Sequence, residues 1–263
     1  MSRPEFLVWA VLVAAQSAIW VLSLLIFVVT VWALPRGFRL IKRRAVWGPV
    51  VLFALALAVP VLTTRFYSGL QYDSPLYAHK WRGNILVLFG SSVALVGAFA
   101  LAAISAVAGT ASGSAAERLD AYISRRDELQ RVLFFLGTMI GAATLALGAS
   151  RHALIVQGGV TSKDFPPELV LAYGAYYSFF LVAAYVPVYL NVLALGREVV
   201  DDLLGKLPAK LGEGKAWAEW ISQREAADLL LQLRTTPVQR LRTALAILAP
   251  LAGSAVSLVL GID

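Results

Sequence analysis

Residues 85–108, ILVLFGSSVALVGAFALAAISAVA, decide which solvent this chain folds in. Twenty-four residues pass without Asp, Glu, Lys, Arg or His. At about 1.5 Å per helical residue they reach roughly 36 Å, more than the ~30 Å hydrocarbon core of a bilayer. A helix is required there, because lipid offers the backbone no hydrogen-bond partner.

Working outward, five more charge-free stretches of this kind lie at 6–34, 45–63, 132–150, 169–196 and 243–262. Together the six take 139 of 263 residues and leave little chain for a separate soluble domain. Composition agrees: 59% of residues are hydrophobic and 15% charged, against about 45–50% and 25% in soluble domains. The expected fold is therefore an all-α, polytopic membrane bundle, one integral domain over 1–263 with six transmembrane helices. Stretch 6–34 far exceeds the roughly 7–15-residue apolar core of a signal peptide and is expected to be retained. Stretches 6–34 and 169–196 have length to spare for tilting or protruding.

Charge placement sets the expected orientation. Segments 35–44, 109–131 and 197–242 hold 17 Lys and Arg, and the remaining loops with the N-terminus hold 6. Cationic loops stay in the cytoplasm, which puts both termini outside. The net charge of +7 is thereby accounted for without nucleic acid. Arg36 precedes Arg39, Lys42, Arg43 and Arg44 directly after the first stretch; the last four are candidate contacts for anionic lipid headgroups. The 197–242 loop is the largest soluble part and the candidate surface for a cytoplasmic or membrane protein partner. It carries Trp217 and Trp220, whose default expectation is packing on the membrane surface.

Within 85–108 small residues recur every fourth position, at Gly90, Ala94, Ala98, Ala102 and Ala106, and the series runs on to Thr110 and Ser114. Such a face lets another backbone approach closely, which matters because lipid supplies no hydrophobic incentive for helices to associate. Gly137 with Gly141, and Gly253 within the series Ala249 to Gly261, extend the pattern to two more helices. These faces suit packing within one bundle or between copies of the chain. Ser114 and Glu117 form a capping-box pattern opening a short amphipathic helix ahead of 132–150. Asp164, Pro166, Pro167 and Glu168 read as a helix start, as do Thr236 and Pro237. Stretch 169–196 differs in being rich in Tyr. Tyr176, Tyr177 and Asn191, with Gln16 of the first stretch, are candidates to line a polar path, and Pro187 should kink the helix.

Chemistry is sparse. The chain lacks H-E-x-x-H, G-x-S-x-G and G-x-x-x-x-G-K-[ST] motifs. Its two histidines, His79 and His152, have no acidic cluster beside them, and there is no cysteine. No catalytic residue, cofactor or metal is assigned, and an enzyme is not expected. No Asp, Glu, Lys, Arg or His lies in any stretch to relay protons or ions. The leading expectation is a non-enzymatic multi-pass protein of a bacterial inner membrane. It would self-associate into a homo-oligomeric, channel-like or membrane-perturbing assembly controlled through cytoplasmic loops, one version being a membrane effector of bacterial defence. The alternatives are a scaffolding accessory subunit of a larger membrane complex, and a small-molecule carrier or lipid-active enzyme.

The orientation is directly measurable in a chain without cysteine. A cysteine at Gly158 or Gly159 should react with an impermeant maleimide in intact cells, and one at Gly214 only after the membrane is opened. The reverse pattern would invert the topology.

Overall fold

The computed structural model describes residues 4–34, 51, 54, 58, 80–108, 113–156, 161–204, 214–231, 233 and 237–259. Among these residues all regular structure is helical: α1 (Pro4–Ala33), α2 (Lys80–Ala108), α3 (Ala115–Val156), α4 (Pro167–Leu204), α5 (Gly214–Leu230) and α6 (Pro237–Val259). The first four are long and apolar enough to cross a membrane, and α6 adds a shorter apolar stretch, Leu241–Ser257. The expected 45–63 span lies outside the described residues, apart from three isolated helical positions. So do Arg39, Lys42, Arg43 and Arg44.

Local chemistry sets the helix ends. Gly113 has φ +129°, a conformation open to glycine, and delivers the chain into a reciprocal cap. Ser114 N–H donates to Glu117 Oε2 at 2.9 Å, and Glu117 N–H donates to Ser114 Oγ at 3.3 Å. The amphipathic helix expected after Ser114 does not stop before the span. It continues as one 42-residue rod, about 63 Å long. Pro167 opens α4 as expected. Asp164, however, closes the preceding turn, accepting from Thr161 N–H at 3.0 Å and Thr161 Oγ1 at 2.7 Å. Those two bonds hold its carboxyl below the usual range.

The long rod α3 is the hub: α1, α2, α4 and α6 all pack on it. Its closest seam is with α6. A Cβ on Gly137 would run into the Ala246 carbonyl oxygen, and one on Gly141 would sit 2.9 Å from the Ala249 carbonyl oxygen. From the other side, Gly253 meets the Gly141 carbonyl, and Gly148 meets Ser257. Pro250, inside α6 and buried, explains one of these contacts. It has no N–H, so the Ala246 carbonyl lacks its helical donor four residues on. That carbonyl rests on the bare Cα of Gly137. The Pro250 carbonyl accepts from Thr144 Oγ1 at 2.9 Å and lies against Gly174 of α4. Three helices thus meet at one proline.

These contacts also fix the helices' relative heights. Gly137 beside Ala246 and Gly141 beside Ala249 make α3 and α6 parallel, so Arg131 is level with Arg240. Thr144 and Gly174 share the Pro250 carbonyl, and Tyr122 meets Gly196, so α4 is antiparallel to α3 with Pro187 level with Arg131. From Arg131 to Arg151 along α3 is about 30 Å, the thickness of a hydrocarbon core. Residues 132–150 between them carry no charge. The run 169–196 is longer than this layer because its last third lies outside it, where Val188, Val192, Leu195 and Gly196 are buried against protein.

Gly137→Val should lower detergent melting temperature by an amount equivalent to about 1–3 kcal/mol, the usual cost of overpacking. Ala252→Val, at an exposed position of the same seam's outer half, should leave it unchanged. Equal melting curves would remove the backbone contact from the stability of the bundle.

Candidate functional site

Beyond the charge-free layer, the first part of α3, the last part of α4 and the whole of α5 form a helical collar. Arg118 pairs with Asp202 across α3 and α4, and Arg224 of α5 pairs with Asp201 at 2.9 Å. Arg125 and Glu128, one turn apart on α3, form a buried pair at 2.7 Å. The pairs with Asp201 and Asp202 are exposed on their acidic side, so their strength is modest. What holds the collar to the layer is apolar and backbone chemistry around Tyr122, which is 1% exposed.

The Tyr122 hydroxyl donates to the Leu231 carbonyl at 3.0 Å, and Arg126 Nη1 donates to the same oxygen at 3.0 Å. This oxygen lies just past the end of α5, where helical carbonyls lack intrahelical donors. Gly196 makes room for the arrangement: a Cβ there would sit 2.6 Å from both the Tyr122 ring and the Leu233 side chain. Burial pushes the Tyr122 hydroxyl up from its ordinary pKa, so it remains a donor at neutral pH.

The expected polar path is distributed over the bundle. Tyr177 stacks on Tyr173 at 6.4 Å and meets Tyr176 edge-on at 5.5 Å, while Tyr176 packs on Phe180 at 4.7 Å. This aromatic group sits inside the charge-free layer. Asn191 lies fourteen residues further along α4 than Tyr177, about 21 Å away. Its Nδ2 donates to Ser105 Oγ of α2 at 2.7 Å. Gln16 is buried on α1, a helix that packs on α2 and α3 and does not touch α4. The structure therefore brings Tyr176 and Tyr177 together and leaves Asn191 and Gln16 apart from them.

The small-residue faces are occupied within the chain. Ala94, Ala98, Ala102 and Ala106 are buried, a Cβ on Gly90 would run into the Trp20 ring of α1, and Gly137, Gly141 and Gly253 form the seam with α6. Trp217 and Trp220 stack on each other at 5.6 Å, with Arg224 over Trp220 at 5.1 Å. Through Arg224 they stand beside Asp201, about 21 Å along α4 beyond Pro187. Sequence reasoning missed Tyr122, Leu231, Thr144 and Ser254. The signal within reach was Pro250, a proline amid an apolar stretch that demands a neighbour for the carbonyl it frees.

The chain matches no protein-family model, and comparisons with curated proteins and with solved structures found no match.

Asn191→Leu and Ser105→Ala should each lower stability by about 0.5–1.5 kcal/mol, the usual net size of an intramolecular hydrogen bond. The double variant should cost no more than either alone. Full additivity would show that the two side chains do not interact.

Proposed function

We propose that this chain is a non-enzymatic membrane protein working in an assembly controlled from its collar, with a channel-like or membrane-perturbing output. One observation carries the reading. The rod α3 runs unbroken from the charge-free layer into the collar, with α4 beside it carrying Pro187 at the layer's edge, and there the two are tied to each other and to α5 by Arg118–Asp202, Arg224–Asp201 and the Tyr122–Leu231 bond. A force on the collar is transmitted into the layer by the continuous helix α3. The lysine and arginine distribution supports placing that collar in the cytoplasm.

Self-association on this reading uses surfaces other than Gly137, Gly141 and Gly253, since α3 and α6 already cover those. The broad apolar face of α1, with Val11, Val21, Leu25, Val29 and Trp32 exposed, is the surface offered to lipid or to neighbours. A second reading, the scaffolding subunit, is favoured by the Asn191–Ser105 bond, which spends on a neighbouring helix a polar group that a water-filled path would use.

Reconstituted liposomes separate the two. A pore predicts release of small ions when the collar is perturbed, with weak selectivity because the layer has no charged ring. A scaffold predicts tight vesicles under every such perturbation and co-purification with a stoichiometric membrane subunit.

A further inference from the structure

Helix α3 leaves the charge-free layer on an arginine at each end, and the two ends differ. At the far end Arg151 is buried, and its Nε donates to the Phe165 carbonyl at 2.6 Å. At the collar end Arg131 is exposed, and so is Arg242 of α6 beside it. The two acids within a helical turn of Arg131 are already engaged, Asp127 by Arg126 at 3.2 Å and Glu128 by Arg125 at 2.7 Å. Helix α6 contains no Asp or Glu. Among the described residues no ion pair involves Arg131 or Arg242.

The two cations stand at the mouth of one furrow. The seam register places Arg242 two residues, about 3 Å, further into the layer than Arg131. Its guanidinium lies over the Phe134 ring at 6.0 Å, and Phe134 is one turn along the same face of α3 from Arg131. Beyond them Gly141 and Ala249 bring the two backbones together, which leaves a shallow channel beside the seam with Phe134 and Leu245 exposed on its two banks. Thr138 adds no free hydroxyl to the channel, since its Oγ1 donates back to the Phe134 carbonyl at 2.8 Å. Helix α1 packs on α3 but does not touch α6, so it leaves this side of the seam open.

We propose that Arg131 and Arg242 bind the phosphate of an anionic phospholipid in the leaflet next to the collar, with an acyl chain laid in the α3–α6 furrow over Phe134, Thr138 and Leu245. An arginine at the edge of a hydrocarbon layer turns its guanidinium to the headgroups, and a fork without a carboxylate partner matches phosphate oxygens. The positive end of the α6 dipole, at Pro237, stands at the same edge. A zwitterionic lipid would bring its own ammonium to this cationic mouth, so charge selects the anionic one. Bound there, the lipid bridges two helices that otherwise meet through glycine and backbone carbonyls. The site is separate from Arg39, Lys42, Arg43 and Arg44, and it holds for a pore and for a scaffold alike.

Native mass spectrometry of the full-length protein in detergent tests it, with dioleoyl phosphatidylglycerol, dioleoyl phosphatidylcholine and glycerol 3-phosphate added separately. The expected result is preferential retention of phosphatidylglycerol. In Arg131→Gln with Arg242→Gln that retention should fall about tenfold or more, because charge-assisted hydrogen bonds from two arginines are lost. Arg39→Gln with Arg43→Gln should leave the remaining site occupied. Thr138→Trp, which fills the furrow and keeps both arginines, should also lower retention. Melting curves in lipid-free detergent check folding, and those of the exposed arginine variants should match the native curve, with phosphatidylglycerol raising the native melting temperature alone. Equal retention of phosphatidylcholine would reduce the site to apolar adsorption, and equal binding of glycerol 3-phosphate would make the ligand a soluble phosphate. Either result, undiminished phosphatidylglycerol on the Arg131 and Arg242 variant, or a loss confined to the Arg39 and Arg43 variant would overturn the proposal.

Discussion

A carbonyl oxygen without a helical donor rests on a glycine Cα, and much of this bundle is arranged around that contact. Pro250 leaves the Ala246 oxygen without its ladder hydrogen bond, and only a residue lacking Cβ can sit opposite it; Gly137 does. In water such a site would be solvated. In lipid no solvent is available and no hydrophobic force draws helices together, so shape and weak backbone contacts must do both jobs. Gly141, Gly174 and Gly253 also lie against backbone carbonyls, and Gly148 makes room for the Ser257 side chain. The result places α6 against the hub helix in one register, and that register sets Arg131 level with Arg240.

The collar follows different rules. Its ion pairs are largely exposed on one side, and their contribution is small. Its anchoring point is a fully buried tyrosine that satisfies a helix-end carbonyl, seated over a glycine that leaves it room. Glycine thus serves the same steric purpose in both halves of the molecule, carrying a backbone oxygen in one and an aromatic ring in the other. Because α3 runs through both regions without a break, it joins the collar to the layer, while prolines interrupt the ladders of two helices packed on it, Pro187 in α4 at the layer's edge and Pro250 in α6.

Much of this could be seen in residue order. Charge-free runs of bilayer length identify helices whatever their neighbours, since lipid leaves the backbone no other option. The capping box at Ser114 and the start of α4 at Pro167 are local, and local signals are legible. The candidate site was less so. Tyr176 and Tyr177 share a helix turn, and their proximity follows from spacing alone. Asn191 and Ser105 are 86 positions apart, and nothing in either neighbourhood names the other. Trp217 and Trp220 carried a sound general preference for interfaces, yet the height of α5 is set by Arg224 meeting Asp201, a pairing between helices.

Residue order by itself determined the solvent, the helical class, the ends of several helices and the small-residue faces, because each depends on transfer of side chains into lipid or on contacts within a few residues. Tertiary structure decided which surface each small face meets, how far α4 extends past the layer, and which carbonyl Tyr122 satisfies. The physical reason is reach. A stripe of glycine and alanine announces that a backbone will come close, but every helix of the bundle has a backbone to offer. The choice among them is made by shape at the contact, where Pro250 of α6 frees the Ala246 carbonyl that lies on Gly137.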